Sequence, residues 1–188
     1  IMGLEYGSPA ARKFITNIGL VTSDGPWGPN IMAAEWTYQI SYDPGLIAVF
    51  PRPSRATAEN IKKTKEFGVS IAAVNQNVIS SISGGNTGKE IDKIAVLKEM
   101  GFEFYPAKKI KVLMVRGAAA NIECKLVKTV PLGDHVMFVG EALEASSTEK
   151  ESMAYHGGKY YRLGKQVKKP QQEVLDKIRE VLERHIKN

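Results

Sequence analysis

The sequence predicts a mainly β fold of antiparallel strands with inserted helices and an amphipathic helix at the C-terminal end. Three observations lead there. Short β-type apolar runs dominate the first half, Gly- and Pro-rich clusters separate them, and helical spacing of apolar residues is confined to three segments. The 188 residues, 43% apolar and 24% charged, carry no internal repeat or low-complexity linker, so the chain reads as one domain, residues 1–188.

The strands are expected at Phe14 to Thr22, Asn30 to Ala34, Leu46 to Phe50 and Val69 to Val74. The stretch from Ser23 to Asn30 concentrates Gly and Pro, and Asp43-Pro44-Gly45 marks a second reversal, so both read as hairpin connections. A first helix is expected from Ala58 to Phe67, with Thr57 as N-cap and Gly68 as its stop. A second, Glu90 to Met100, sets Ile91, Ile94, Leu97 and Met100 near one face before Gly101. Ala119 to Val130 and Val136 to Ala145, joined by Pro131 to His135, form an extended hairpin that carries Cys124 and Glu141. After Pro170, Val174, Leu175, Ile178, Val181, Leu182 and Ile186 recur at helical spacing, with Glu173, Lys177, Glu180 and Arg184 on the wet side. That helix, residues 171–187, is expected to pack on its own domain or on a dimer partner, because its polar face mixes both signs of charge, unlike a membrane-surface helix.

Composition excludes several classes. The longest apolar run is Leu46 to Phe50, far below the roughly 18 residues of a membrane-spanning helix. The single Cys124 rules out an intrachain disulfide, which fits a reducing compartment. Ile1 to Pro9 show no secretory signal, so the expected location is cytoplasmic. Twenty-six Lys and Arg against 20 Asp and Glu give a net charge of +6, which favours acidic partners such as phosphates. A basic nucleic-acid-binding module is one alternative. However, the basic groups Lys108, Lys109, Lys111 and Lys165, Lys168, Lys169 lack interleaved aromatic residues. No metal is expected, since His135, His156 and His185 are widely separated and belong to no ligand motif. Cys124 alternates within a half-buried strand pattern and reads as a core residue. Gly84 to Gly88 follow no strand of a βαβ unit, so they read as a loop and not as a dinucleotide fingerprint.

Phe50 to Asn60 is more informative. A strand ends, Arg52 and Arg55 appear, and a helix begins at Thr57. Unpaired amides at that helix start, the positive end of its dipole, a hydroxyl and Arg55 would together hold a phosphate dianion. The competing reading is that Thr57 only caps the helix while both arginines are solvated.

Asn30 to Thr37, Ser41 to Ile47, Arg55 to Asn60, Gly133 to Glu141 and Tyr155 to Tyr161 occur in an order that resembles the flavin reductase-like family, and in particular the flavoredoxin branch of FMN-binding split barrels. The resemblance spans Phe14 to Gly164 and leaves the helical tail outside. It implies an antiparallel, Greek-key type split β-barrel, a homodimer, and noncovalent FMN near the subunit interface. It places Asn30, Trp36 and Thr37 beside the flavin ring and ribityl chain, and Arg55 and Thr57 at the phosphate. Gly88 to Lys93 is similar to the family's Ser-Gly-x-x-x-Asp-Lys pattern, with Thr87 in place of Ser, and so brings Lys93 near the cofactor. His135 is implied on the open side of the ring, where nicotinamide or an acceptor would approach, and Tyr161 as a late aromatic contact. Asn75, just past a strand, is a further expected contact. The implied activity passes electrons from NAD(P)H through FMN to a flavin, a ferric complex or a redox protein partner. The alternative is a flavoredoxin-like FMN carrier without efficient NAD(P)H turnover.

Overall fold

The computed structural model describes residues 3–187. A 3-10 turn, Ala11–Lys13, leads into β1 (Ile15–Asn17) and β2 (Gly19–Ser23), so the first expected strand is broken at Ile18. β3 (Asn30–Ala34) returns along β2 as a hairpin, and β4 (Thr37–Tyr42) and β5 (Gly45–Val49) form the next one around Asp43-Pro44. Helix α1 (Ala56–Thr64) follows, then β6 (Glu66–Ile71), α2 (Asn77–Gly85), α3 (Lys93–Glu99), β7 (Phe104–Pro106) and β8 (Leu113–Val115). The long hairpin of β9 (Ala120–Leu132) and β10 (His135–Ser147) precedes β11 (Ala154–His156), β12 (Lys159–Tyr161) and α4 (Gln172–Glu183).

Seven strands form one antiparallel sheet in the order β3-β2-β6-β9-β10-β5-β4. Its two edge strands, β3 and β4, are consecutive in sequence and separated only by Glu35 and Trp36. A flat sheet of that width cannot bring its edges so close, so the sheet curls into a barrel split at the β3–β4 seam. Thr37 spans the seam by donating its hydroxyl to Ala34 O at 3.1 Å. Opposite it stands Gly19, where a Cβ would lie 2.2 Å from Thr37 Oγ1.

The barrel interior is filled by Val21, Val49, Ile61, Phe67, Val69, Cys124, Val136 and Phe138. Gly140 is required there by close packing, because a Cβ would sit 2.5 Å from Phe67 Cζ and 2.7 Å from Cys124 Cβ. Burial, with the neighbouring Glu123 adding to it, pushes the Cys124 thiol up to about 12, which fits a core residue rather than a nucleophile. A second core of Ile18, Leu20, Ile31, Ile79, Ile94, Leu97 and Met153 holds α2 and α3 against the outside of the barrel.

Several expected elements shift. α1 starts two residues early, so Arg55, not Thr57, is its N-cap, and Thr57 lies in its first turn. It ends through Lys65, whose φ of 63° closes the helix, and Gly68 falls inside β6. The strand expected at Val69 to Val74 begins at Glu66, since pairing with β2 and β9 continues back to the end of α1. α2, the strand β4 that leads into the Asp43-Pro44-Gly45 reversal, and the short strands β7, β8, β11 and β12 were not among the expected elements. α3 is shorter than its apolar pattern because the Asp92 side chain caps it by accepting from Ala95 N–H. The long hairpin turns at Gly133 and Asp134 alone, with Pro131 still paired to Val136. α4 forms where periodicity placed it, yet none of its residues is buried against the chain. No described helix is long and apolar enough to cross a membrane.

Candidate functional site

Beside the barrel seam lies an open cleft of about 320 Å³. Six residues expected at a cofactor site line it: Asn30 from β3, Trp36 from the seam, Arg55 and Thr57 from the start of α1, Lys93 from the start of α3, and His135 from β10. These positions span more than a hundred residues of sequence and meet because β3 and β10 belong to one curled sheet against which α1 and the α2–α3 pair pack.

One end of the cleft is polar and cationic. Asn30, buried, donates through Nδ2 to Thr57 Oγ1 at 2.8 Å. Gly88 closes over that pair, since a Cβ there would fall 2.2 Å from Asn30 Oδ1. Arg55 N–H turns back to Arg52 O, and Glu59 N–H begins the helical ladder to Arg55 O. The intervening amides of Ala56, Thr57 and Ala58 are therefore the open donors of the first turn, and Ala56 and Thr57 line the cleft. The α1 dipole adds positive potential at the same place.

Lys93 is only 3% exposed. Its Nζ donates to Ser83 O at 3.2 Å and Asn86 O at 3.3 Å, the carbonyls that end α2. Burial, followed by repulsion from Arg55, lowers its ammonium from 10.5 to about 8. Among the described residues neither Arg55 nor Lys93 has a carboxylate ion-pair partner. Ser83 Oγ, also buried in the lining, has no hydrogen-bond partner. Two unneutralised cations and the open amides of Ala56 and Thr57 thus border one space, with the orphaned Ser83 hydroxyl in its wall, a donor set suited to a phosphate dianion.

The other end is aromatic. Trp36 and His135 rings lie 4.7 Å apart, and Phe50 meets Trp36 edge-on at 6.5 Å. His135 Nδ1 is 2.6 Å from Asp134 Oδ1, and Asp134 also pairs with Arg52 at 3.4 Å. The hydrogen bond to His135 and the Arg52 charge hold the Asp134 carboxyl below its usual range. Glu35, also in the lining, is pushed up by burial.

Three expected residues lie elsewhere in the chain. Thr37 is adjacent to Trp36 but points to the opposite side of the strand, where it fills the space over Gly19. Asn75 sits exposed in the turn before α2, and its neighbour Gln76 makes the buried bonds, accepting from Ala73 N–H and donating to Arg116 O. Tyr161 lies on the separate three-stranded sheet β1-β11-β12 and lines a second cleft. Conversely, Ser83 lines the site although it was not among the expected residues, and Phe50 and Gly88, expected only as the first residues of the Phe50–Asn60 and Gly88–Lys93 segments, line it as well. The signal for Ser83 was the i, i+4 spacing of Ile79 and Ser83 in a helix masked by Ser and Gly. Among the described residues no cluster of His, Cys, Asp and Glu side chains is placed to hold a metal.

Comparison with known proteins identifies the family of the fold. The model of the flavin reductase like domain matches residues 11–164. An uncharacterized protein of Pyrococcus abyssi is 38% identical over 69% of this chain and 71% of its own length. The FMN reductase (NADH) SmoA of Agrobacterium fabrum is 26% identical over 84% of both chains. The NADH:FAD oxidoreductase SgcE6 of Streptomyces globisporus shares the fold with a TM-score of 0.77 at 20% identity, covering 88% of this chain and 98% of its own. With a family match that runs from the 3-10 turn to just beyond β12, and a split barrel carrying a cationic cleft at its seam, this chain belongs to the flavin reductase-like domain family.

Proposed function

We propose that this protein is an NAD(P)H-dependent oxidoreductase that holds FMN in the seam cleft and passes electrons to a flavin, ferric or protein acceptor. The observation that carries this reading is the convergence of Arg55, Lys93 and the open α1 amides at one end of a cleft whose other end is aromatic. That polarity matches a molecule with a phosphate at one end and an aromatic ring system at the other. FMN reductase relatives add support for the class of activity.

The redox chemistry belongs to the flavin, which supplies two-electron transfer between a nicotinamide donor and the acceptor when bound. The chain's residues bind and orient. Arg55 and Lys93 neutralise the phosphate, and the amides of Ala56 and Thr57, which line the cleft, donate to it. The Asn30–Thr57 bond fixes the polar wall. Trp36, Phe50 and His135 provide the apolar body, with His135 held by Asp134 on the side where a second molecule approaches. A homodimer with the cleft near its interface is part of this reading. Its support is the edge strand β4, which begins beside Trp36 and exposes Tyr38, Ile40 and Tyr42.

The test is the visible spectrum of protein purified without added cofactor, with identification of any released chromophore, followed by NADH and NADPH oxidation. A yellow protein that releases FMN and is bleached by either nucleotide is expected. Bleaching only by a redox protein would replace the reductase with an electron carrier. A colourless protein that takes up no FMN at micromolar supply would end the reading.

A further inference from the structure

A second cleft, of about 410 Å³, lies between the N-terminal segment and the β11–β12 hairpin. Its lining is basic and aromatic: Arg12, Lys13, His156, Lys159 and Tyr161 contribute, and no carboxylate does. Some surface cations of this protein are paired, as Lys108 is with Glu144, Arg116 with Glu103 and Arg162 with Glu151. Among the described residues Arg12, Lys13 and Lys159 have no such partner. Three like charges gathered around one space repel each other, and an anion placed between them relieves that repulsion.

The cleft is also shaped. The hairpin turns at Gly157 and Gly158, both in the left-handed region with φ of 56° and 82°, which brings Lys159 back beside His156. The His156 ring is tied through Nδ1 to Phe14 O at 3.3 Å. Tyr161 lies 6.1 Å from that ring, so the cleft offers an aromatic wall beside its cations. Arg supplies a planar fork and Lys a point charge, a combination suited to phosphate oxygens. The two clefts meet at consecutive residues, since Tyr6 lines the seam cleft and Gly7 the second one.

We propose that this second cleft is a phosphomonoester site, fitted to the 2′-phosphate end of NADPH. The assignment to that donor rests on the reading of the seam cleft as a flavin reductase site, whereas the phosphate chemistry rests on the second cleft alone. NADPH differs from NADH by one phosphomonoester, which carries between one and two negative charges near neutrality. Contacts with exposed cations are screened, so the expected preference is about tenfold at low salt and fades as salt rises.

Isothermal titration of the FMN-saturated protein, whose seam cleft is filled, with NADP⁺, NAD⁺ and inorganic phosphate tests this without turnover. NADP⁺ is expected to bind about tenfold tighter than NAD⁺ at low ionic strength, with inorganic phosphate competing. The double variant Arg12→Ala, Lys159→Ala is expected to bring the two dinucleotides level and abolish phosphate binding, while FMN retention and the thermal midpoint stay unchanged. Phosphate binding lost in the variant, with NADP⁺ and NAD⁺ equal in both proteins, keeps the site but rejects NADPH as the source of the phosphate. Affinities for phosphate and NADP⁺ that do not differ between wild type and variant overturn the proposal. A protein that takes up no FMN yet binds phosphate through Arg12 and Lys159 would remove the flavin reading and leave this site standing.

Discussion

Binding of FMN above pH 7 is expected to draw a proton from solution, and Lys93 is the group that receives it. In the unliganded protein its ammonium, 3% exposed and facing Arg55, titrates at about 8. It is therefore about one-tenth neutral at pH 7, about half neutral at pH 8 and about nine-tenths neutral at pH 9. A phosphate dianion placed between Lys93 and Arg55 removes the repulsion and rewards the charged form, returning the group toward 10.5. Proton uptake per FMN bound is then about 0.1, 0.5 and 0.9 at those three pH values. The phosphate, with its second ionisation near 6, stays a dianion at pH 8 and 9 and adds little there.

The assay is calorimetric titration in pairs of buffers with different ionisation enthalpies, where the slope of observed heat against buffer enthalpy gives the proton number. Lys93→Met should flatten that slope. A slope of zero at pH 8 and 9 in the wild type, or an unchanged slope in Lys93→Met, would refute the reasoning. The same shift has a stability consequence without ligand. A depressed folded-state lysine disfavours folding fully below pH 8, by about 3 kcal/mol from a difference of roughly 2.5 pH units, and this cost disappears as pH rises toward 10.5. The FMN-free protein should therefore gain Lys93-dependent stability between pH 8 and 10, read as a thermal midpoint that rises in wild type relative to Lys93→Met.

Other expectations follow from the same contacts. Arg55→Ala should weaken FMN binding roughly tenfold or more by removing a charge-assisted contact, and an unaltered dissociation constant would show the phosphate lies elsewhere. Gly88→Ala should push Asn30 off Thr57, because the added Cβ would meet Asn30 Oδ1 at 2.2 Å, costing about 1–3 kcal/mol of stability and lowering FMN affinity. Wild-type behaviour in both measurements would mean that the polar wall is not built on this pair. Asn60→Ala should lower the thermal midpoint by about 10 °C. Asn60 is buried and donates to Ser23 Oγ and Gly28 O while accepting from Trp27 N–H, so its loss strands three groups. Gly140→Ala should cost about 1–3 kcal/mol by forcing Phe67 and Cys124 apart, measured by denaturant unfolding.

Local chemistry made much of the fold legible. The β2–β3 and β9–β10 hairpins follow turn residues and alternating apolar runs that act over a few positions, and α4 follows a 3.6-residue stripe. Where local and long-range terms compete, the boundaries moved. Thr57 is a good cap by propensity, yet its hydroxyl is engaged by Asn30 across 27 positions of sequence, and Arg55 takes the cap position. α2 was invisible because Ser and Gly lower its helix propensity, while burial of Ile79 and Ser83 against the barrel holds it.

Residue types and their order sufficed to establish an antiparallel β protein with a cationic helix start after a strand, because turn preference, periodicity and charge are properties of short segments. Only the tertiary structure decided which donors share a space. Curling the sheet until β3 and β4 meet brings Asn30, Trp36 and His135 to the seam cleft together with Arg55, Thr57 and Lys93, and turns Thr37 away. It also depresses Lys93, since burial and the field of a distant arginine depend on three-dimensional distance, which no local pattern encodes.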